Sequence, residues 1–546
     1  MRRRAIVGVA VLGGALFAAI GGAAVPALHV TGVPGANVKA AGYAPASVLS
    51  RQLRQAPVAA GAMALENPHG IIGWYGYEND AASPDDPSLP QMVPAAGSTA
   101  EAQKTEPDKN TYLVMSGQTG ADPDYYYGTH FLFQGHEAGV SAETGRQSYI
   151  TRINLDADIA HRVTLLAWQD TDGNPIQPID GSTWDPWAQR LLFTTENRNA
   201  PTYAATASYP STVEDVSGAL GRGGYEGIQD DSHGDVWIVE DIGGAIKTGS
   251  TAAKQPNSYV YRYVPHTPGD LHNGRLQVLQ VYNHAGDPIT FESESSFPSP
   301  DQIELHTYGN TFHTHWITIH DTAVDGNAPF IANDIAKAHH VGTPFKRPEN
   351  GQFRPGYDFT QFFFDETGDT NATSSENGNP VTGKGGAGGW GSIMKLTQTN
   401  PAADSGQLTL FYACNEAVSG LDNVAFLTQD LVTFVEDAGD TLHTQRKALD
   451  SGYVWNVGTS YADGKQPVRW LAEGRDPSAT LDSANGGFGT NEGDNEITGV
   501  HVSNGNPGPG GILGAQLPAL GSGSPMWRWF YTQQHGDNVT WEVTAG

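Results

Sequence analysis

Sulfur is almost missing from this chain: its 546 residues include one cysteine, Cys414. A disulfide within the monomer is therefore impossible, and no cysteine and histidine set at zinc spacing is present. Stability must come from core burial and from bound cations where acids gather. Cys414 ends the strand-like run Leu408–Cys414 and reads as a buried free thiol, not a nucleophile. Basic residues are scarce as well. Against 59 acidic residues stand 30 Lys and Arg, a formal charge of −29, which repels nucleic acid and anionic membrane surfaces. Most of the acids are expected on a solvated surface. Amphipathic helices are few, and residues 211–220 and 331–340 are the best candidates.

Only one apolar run approaches spanning length, and it follows Arg2, Arg3 and Arg4 over Ala5–Ala24, with the small-residue exit Val25-Pro26-Ala27. Residues 1–27 have the charged, apolar and cleavage regions of an export signal, so the protein is expected to be secreted or otherwise extracytoplasmic. The adjacent arginines allow twin-arginine export as well as the general route. The mature chain is expected to be soluble, without membrane contact, and monomeric. Residues 28–65, rich in Ala, Gly, Pro and Val, read as a linker or N-terminal arm.

From residue 66 to 546 a single domain is expected. Short β-branched and aromatic runs such as Asn110–Met115, Gln147–Ile153, Val163–Trp168 and Ser258–Tyr263 alternate with clusters of Gly, Asp, Asn and Pro. Many short strands with regular turn signals indicate a closed all-β architecture. A six-bladed, propeller-like domain with long loop insertions at 295–350 and 365–390 and a few short helices accounts for the repeat of turn, apolar strand and terminal acid. At roughly 80 residues per blade, insertions included, six blades use the chain. The closing sheet is expected to draw on both ends of the domain, including Trp529–Gln533.

Carboxylates follow short hydrophobic runs at Glu196, at Glu240-Asp241 and at Glu436-Asp437, and two more acids stand in Tyr225-Glu226-Gly227 and Glu496-Ile497-Thr498-Gly499. If such points converge, they form a pocket that only a cation neutralises. The ligand set is oxygen alone, which selects hard cations such as Ca²⁺. His313 with His315 and His339 with His340 are histidine pairs that more often line a surface. In Lys346-Arg347-Pro348-Glu349 the planar fork of Arg347 suits a phosphate or carboxylate, and Glu349 falls on the same side of an extended segment.

The order Asp180-Gly181-Ser182-Thr183-Trp184-Asp185, Phe193-Thr194-Thr195-Glu196, Tyr225-Glu226-Gly227, Lys346-Arg347-Pro348-Glu349, Trp390-Gly391-Ser392-Ile393, Leu421-Asp422-Asn423-Val424, Glu496–Gly499 and Gln534-His535-Gly536 resembles the PhoX-type alkaline phosphatase family. That resemblance implies a secreted, propeller-like phosphatase whose site combines Ca²⁺ with iron. By position it makes Glu196, Glu226, Glu349 and Glu496 the metal ligands and Arg347 the catalytic contact to phosphate. Gln534 and His535 match a closing-strand motif without an assigned role. One departure matters. Where the family has a cysteine that bridges the irons, this chain has Thr195, and a neutral hydroxyl does not replace a bridging thiolate. Fe³⁺ is thus in doubt while Ca²⁺ is expected.

The substrate expected is a small phosphorylated molecule, a phosphate monoester. Metal ions would polarise a phosphoryl oxygen and lower the pKa of a bound water. Two other functions remain open on the same scaffold: a non-catalytic calcium-binding propeller that has lost the iron site, and a calcium-dependent lactonase or phytase-like hydrolase.

Overall fold

The computed structural model describes residues 28, 30–40, 45–78, 104–140, 145–291, 298–378, 386–475, 496–515, 517–518, 520, 527–535 and 538–546. The expected export signal at 1–27 lies outside them. Alternation of β-branched and aromatic residues with Gly and Asp turns produces antiparallel strands joined in sequence order. Pro107–Val114, His130–His136, Ile150–Asn154 and Val163–Ala167 form one meander, and Ile179–Asp185, Arg190–Thr195, Tyr203–Ala205 and Val213–Asp215 form the next. Leu421–Phe426, Leu431–Glu436, Ser451–Asn456 and Val468–Ala472 make a third, with Val48–Leu49 on its edge.

The last sheet joins the two ends of the chain. Glu496–Ser503, Arg528–Gln534 and Val539–Ala545 are completed by Leu53–Ala59, which pairs antiparallel with Val539–Ala545. Part of the segment 28–65 is therefore an arm that adds a strand to the domain, with Leu53, Val58 and Ala59 buried in the core.

Six separate sheets of blade size are not what the structure presents. Between the second and third meanders lies one nine-stranded sheet, from Tyr225–Asp230 to Phe312–Asp321 and then from Ser405–Ala413 back to Gly351–Phe353. Its two parts are joined because the long strand Phe312–Asp321 pairs at its start, Phe312–His315, with Ser405–Leu408. That strand also gives regular structure to part of the expected insertion 295–350. Of the expected helices, residues 211–220 split into the strand Val213–Asp215 and a single turn, Ser217–Leu220, since Val213 is buried opposite Ala205. Ala332–His339 is helical.

Innermost strands pack side by side in a ring: Pro107–Val114 against Ile179–Asp185, then Tyr225–Asp230, Gly351–Phe353, Leu421–Phe426, Glu496–Ser503 and back to the first. The arrangement is all-β and propeller-like. Cores fill the spaces between adjacent sheets; in one, Trp237 meets Trp316 and Phe353 edge-on at 5.0 and 4.9 Å between ring centroids. Truncating so buried a tryptophan costs about 3–5 kcal/mol. At the end of the ring where Val114, Asp185 and Ser503 lie, the loop after Ser503 acts as a stopper: Val114 N–H donates to Gly505 O at 2.6 Å and Trp184 Nε1 to Pro507 O at 2.8 Å. The cavity left there is about 40 Å³, too small for a substrate.

Candidate metal centre

In an antiparallel hairpin the start of the first strand and the end of the second lie at the same end. The inner strands thus bring their first residues, Asp108, Asp180, Glu226, Asp422 and Glu496, to one mouth of the ring, and the second strands deliver Glu196, Asp241 and Glu436 to that same level. Bulges aim several of them. The ladder register slips between Pro107 and Asn110, between Tyr225 and Ile228 and between Leu421 and Val424, so that Asp108, Glu226 and Asp422 each sit where a bulge redirects side chains. Glu226 is fixed by its backbone. Its carbonyl accepts from Thr194 Oγ1 at 2.6 Å, and a Cβ on Gly181 would lie 2.0 Å from that oxygen. Gly227 N–H donates to Glu349 O at 2.7 Å, tying two of the acids through main chain.

Ligand atoms lying within 4.8 Å of one another form three groups among the described residues: Asp108, Glu137 and Asp180; Asp180, Glu196 and Glu226; Glu226, Asp241 and Glu349. The groups share Asp180 and Glu226 and so make one chain of carboxylates. Of the four glutamates expected as metal ligands, Glu196, Glu226 and Glu349 lie in it. Glu496 does not. Its Oε2 is 3.3 Å from His535 Nε2, and burial, then Asp437, Asp422, Asp108 and Asp180, drive it well above the usual carboxylate range. His535 Nδ1 faces Glu106 Oε1 at 3.4 Å, and Gln534 Nε2 donates to Asp108 Oδ2 at 3.1 Å. Gln534 and His535 therefore brace acids at the mouth.

Without cations the carboxylates hold protons. Burial, then Asp108, pushes Asp180 up to about 7. Burial and then Asp180 drive Glu226 well above the usual range, and burial and then Asp241 do the same to Glu349. Glu137 and Asp108 hydrogen-bond to one another, which two ionised carboxylates cannot do. Glu226 Oε2 is buried with no hydrogen-bond partner.

Among the described residues, few cations face this cluster. Lys109 is buried and donates to Asn423 Oδ1 at 2.8 Å and Val500 O at 3.0 Å; burial pulls its ammonium down to about 8 against the attraction of Asp422 and Asp108. Arg347 grips Asp241 through Nε at 2.8 Å and Nη2 at 2.8 Å and reaches Glu349 Oε1 with Nη2 at 3.3 Å. Although burial opposes its charge, Asp241 and Glu349 hold it more firmly protonated than a free guanidinium. The ammonium of Lys254 is depressed by burial and by Arg347.

The donor set fits a hard cation: every cluster ligand is a carboxylate oxygen, and two buried ones, Asp180 Oδ1 and Glu226 Oε2, have no hydrogen-bond partner. It does not fit a thiolate-bridged iron pair. Thr195 Oγ1 is turned to Pro201 O at 2.9 Å, and Cys414 lies in a separate hydrophobic core with Trp390, Tyr412 and Val418. Asp108, Lys109, Glu137 and Asp241 were not singled out as site residues by sequence reasoning. In Asp108-Lys109 opposite charges adjoin and cancel, and Glu137 follows its strand without a motif. Asp241 carried the same strand-end signal as Glu196.

Fold and site define a class: an all-β, propeller-like protein with a carboxylate-lined, cation-seeking mouth at one end of the strand ring. Residues 232–506, just over half of the chain, match the family described as Alkaline phosphatase PhoX, and the chain belongs to that family. Among solved structures it is similar to Pseudomonas fluorescens PhoX in complex with vanadate, a transition state analogue, at 11% identity over 95% of this chain and 98% of that one, with a TM-score of 0.52. Much weaker likenesses are to a fungal alcohol oxidase of the AA5 family in complex with copper, at 9% identity over 81% of this chain and 74% of that one, TM-score 0.33, and to Chaetomium thermophilum Sqt1 bound to the N-terminus of ribosomal protein L10, at 10% identity over 81% and 97%, TM-score 0.29. No curated protein matches the chain.

Proposed function

We propose that this protein is a secreted, metal-dependent phosphatase that hydrolyses phosphate monoesters of small molecules at the carboxylate mouth. The observation that carries the reading is the placement of one guanidinium fork, Arg347, against the Glu226, Asp241 and Glu349 group, inside a family of alkaline phosphatases. Glu196, Glu226, Glu349, Asp180 and Asp241 would hold Ca²⁺, with Asp108 and Glu137 extending the set. Bound there, the cations supply Lewis acidity toward a phosphoryl oxygen and a water of lowered pKa.

The chain's own residues do the rest. Arg347, whose fork matches two phosphoryl oxygens as it matches Asp241, binds the substrate and neutralises charge gathered in transfer. Lys254 adds positive potential on the same side. His535 and Gln534 hold Glu496 and Asp108 in place. Neither Thr195, committed to Pro201, nor Cys414, in another core, is available as a nucleophile. We read the nine-stranded sheet as two fused blades, giving six around the ring, and residues 1–27 as the export signal that family membership leads one to look for.

Metal analysis beside a p-nitrophenyl phosphate assay, with and without Ca²⁺, tests the reading. Hydrolysis should depend on Ca²⁺, and Glu226→Gln and Arg347→Ala should each abolish it with the fold intact; an active double variant would sink the assignment. A second reading, a calcium-binding propeller without catalysis, draws on Thr195 in place of the family's cysteine. Tightly bound Ca²⁺ with no turnover of any phosphate ester would favour it, and turnover of lactones or inositol phosphates would point to the lactonase or phytase alternative.

A further inference from the structure

Arg347 has an unusual backbone. Its φ is +58°, a left-handed conformation that costs a non-glycine residue on the order of 1–2 kcal/mol and persists only where the surroundings over-determine it. Those surroundings are a buried polar lattice that adjoins the carboxylate mouth through Thr367 and Glu349. Lys346 N–H donates to Glu366 Oε1 at 2.8 Å, Thr367 N–H to Arg347 O at 2.8 Å and Gly368 N–H to Lys346 O at 3.1 Å. Thr367 Oγ1 also donates to Glu349 Oε1 at 2.8 Å. The segment 366–368 thus clips the loop immediately before and after the arginine's α-carbon.

Glu366 is itself fastened. Its Oε2 lies 2.8 Å from His306 Nε2 and accepts from Ser392 Oγ at 2.5 Å, while His306 Nδ1 lies 2.7 Å from Gln302 O. A carbonyl can only accept, so Nδ1 carries a hydrogen. Glu366 also accepts from a hydroxyl and an amide, and although burial opposes both charges, Glu366 raises His306 above its usual range while His306 lowers Glu366 below its own, which makes the pair imidazolium with carboxylate. His306 and Glu366 are 3% and 0% exposed. Lys346, 1% exposed, points onto Asp369, at 3.0 Å from both oxygens, and onto Glu376. Adjacent basic residues thus divide the work: Lys346 anchors inward and Arg347 faces the acids.

Buried ion pairs contribute little net stability, because desolvation offsets their attraction, so an ionic lattice here calls for another explanation. We propose that Glu366, fastened by His306 and acting with Lys346, is a positioning residue that sets the Arg347 fork for phosphate. This role rests on the phosphatase reading of the mouth.

The test is a double-mutant cycle of Glu366→Gln with Arg347→Ala in the Ca²⁺-loaded protein, reading the dissociation constant of inorganic phosphate and the Ca²⁺ affinity by calorimetry in all four proteins, with KM and kcat for p-nitrophenyl phosphate where Arg347 is kept. Glu366→Gln should weaken phosphate binding on the order of 10- to 100-fold, the cost of a misplaced contact, and leave Ca²⁺ affinity within about twofold. In the Arg347→Ala background the same change should have no further effect on phosphate. Multiplying effects, or unaltered phosphate binding in Glu366→Gln, would overturn the role. Should Glu366→Gln not fold, His306→Gln enters the same cycle with the same two outcomes. A wild-type protein that neither binds phosphate nor hydrolyses the ester would instead refute the phosphatase reading, and the positioning role with it.

Discussion

Removing cations should make this protein lose stability as pH rises, the reverse of acid denaturation. Asp180 shows why. It is 6% exposed, and burial with Asp108 moves its carboxyl from 3.8 to about 7. A carboxyl whose folded pKa is raised contributes its full stability below the unfolded value. That contribution falls as pH climbs from 3.8 and is gone above about 7, because the unfolded chain ionises freely while the folded one must keep a proton or bear a buried charge. Each tenfold change in proton affinity corresponds to about 1.4 kcal/mol, so Asp180 alone loses on the order of 4 kcal/mol across that window. Glu226, Glu349 and Glu496 are displaced in the same direction. Ca²⁺ should replace the lost protons. In thermal unfolding with a chelator, Tm should therefore fall by on the order of 10 °C between pH 4 and pH 7, and Ca²⁺ should raise Tm far more at pH 7 than at pH 4. A chelated protein whose Tm is flat or climbs over that range, or a Ca²⁺ effect equal at both ends, would refute the reasoning.

Lys109→Met should destabilise the chelated protein at neutral pH by about 1–3 kcal/mol in urea unfolding, since it leaves the buried Asn423 Oδ1 and Val500 O without their donor; a variant as stable as wild type would contradict these contacts. Gly181→Ala should cost about 3 kcal/mol and weaken Ca²⁺ binding, because its Cβ would stand 2.0 Å from Glu226 O. Gly35→Ala, with open space around it, should stay within about 0.5 kcal/mol of wild type. Removing residues 524–546 should unfold the protein by circular dichroism, for it deletes two strands of the closing sheet, Arg528–Gln534 and Val539–Ala545, and exposes the surfaces that Trp529, Tyr531 and Trp541 cover; a folded truncation would show that the ring closes otherwise.

Strand texture made the all-β architecture legible, because runs such as Leu191–Phe193 and Val236–Val239 are apolar whichever sheet they join. Closure by both chain ends was legible at Trp529–Gln533. The strand at Leu53–Ala59 was not, since Pro57 and the surrounding Ala and Gln read as linker composition, and its ladder to Val539–Ala545 is a contact that no local pattern announces. Blade separation was not legible either: the length of Phe312–Asp321, which bridges two sheets, depends on tertiary pairing. At the site, Glu226 and Glu349 stood out by their motifs, whereas Asp108 and Lys109 adjoin as a neutral pair and act only once a bulge turns them to the mouth. Glu496 had the motif and stands beside His535, outside the three carboxylate groups.

The bulges and the ring together explain why the acids gather at one end. Their mutual repulsion and desolvation oppose closing the mouth, and among the described residues Arg347, Gln534 and His535 offset part of that cost through Asp241, Glu349, Asp108 and Glu496. What offsets the rest is burial elsewhere along the same strands. Tyr225 and Ile228, flanking the Glu226 bulge, are buried in one intersheet core, and Val424 and Phe426, following Asp422, are buried in another. Each buried side chain of this kind contributes about 1.5–3 kcal/mol, so an inner strand can carry a strained, charged start on a well-packed remainder. Weakening that packing should then release the mouth first: Ile228→Ala should lower Ca²⁺ affinity at temperatures where the rest of the protein is still folded, and a variant that loses global stability while binding Ca²⁺ unchanged would break this link between core and site.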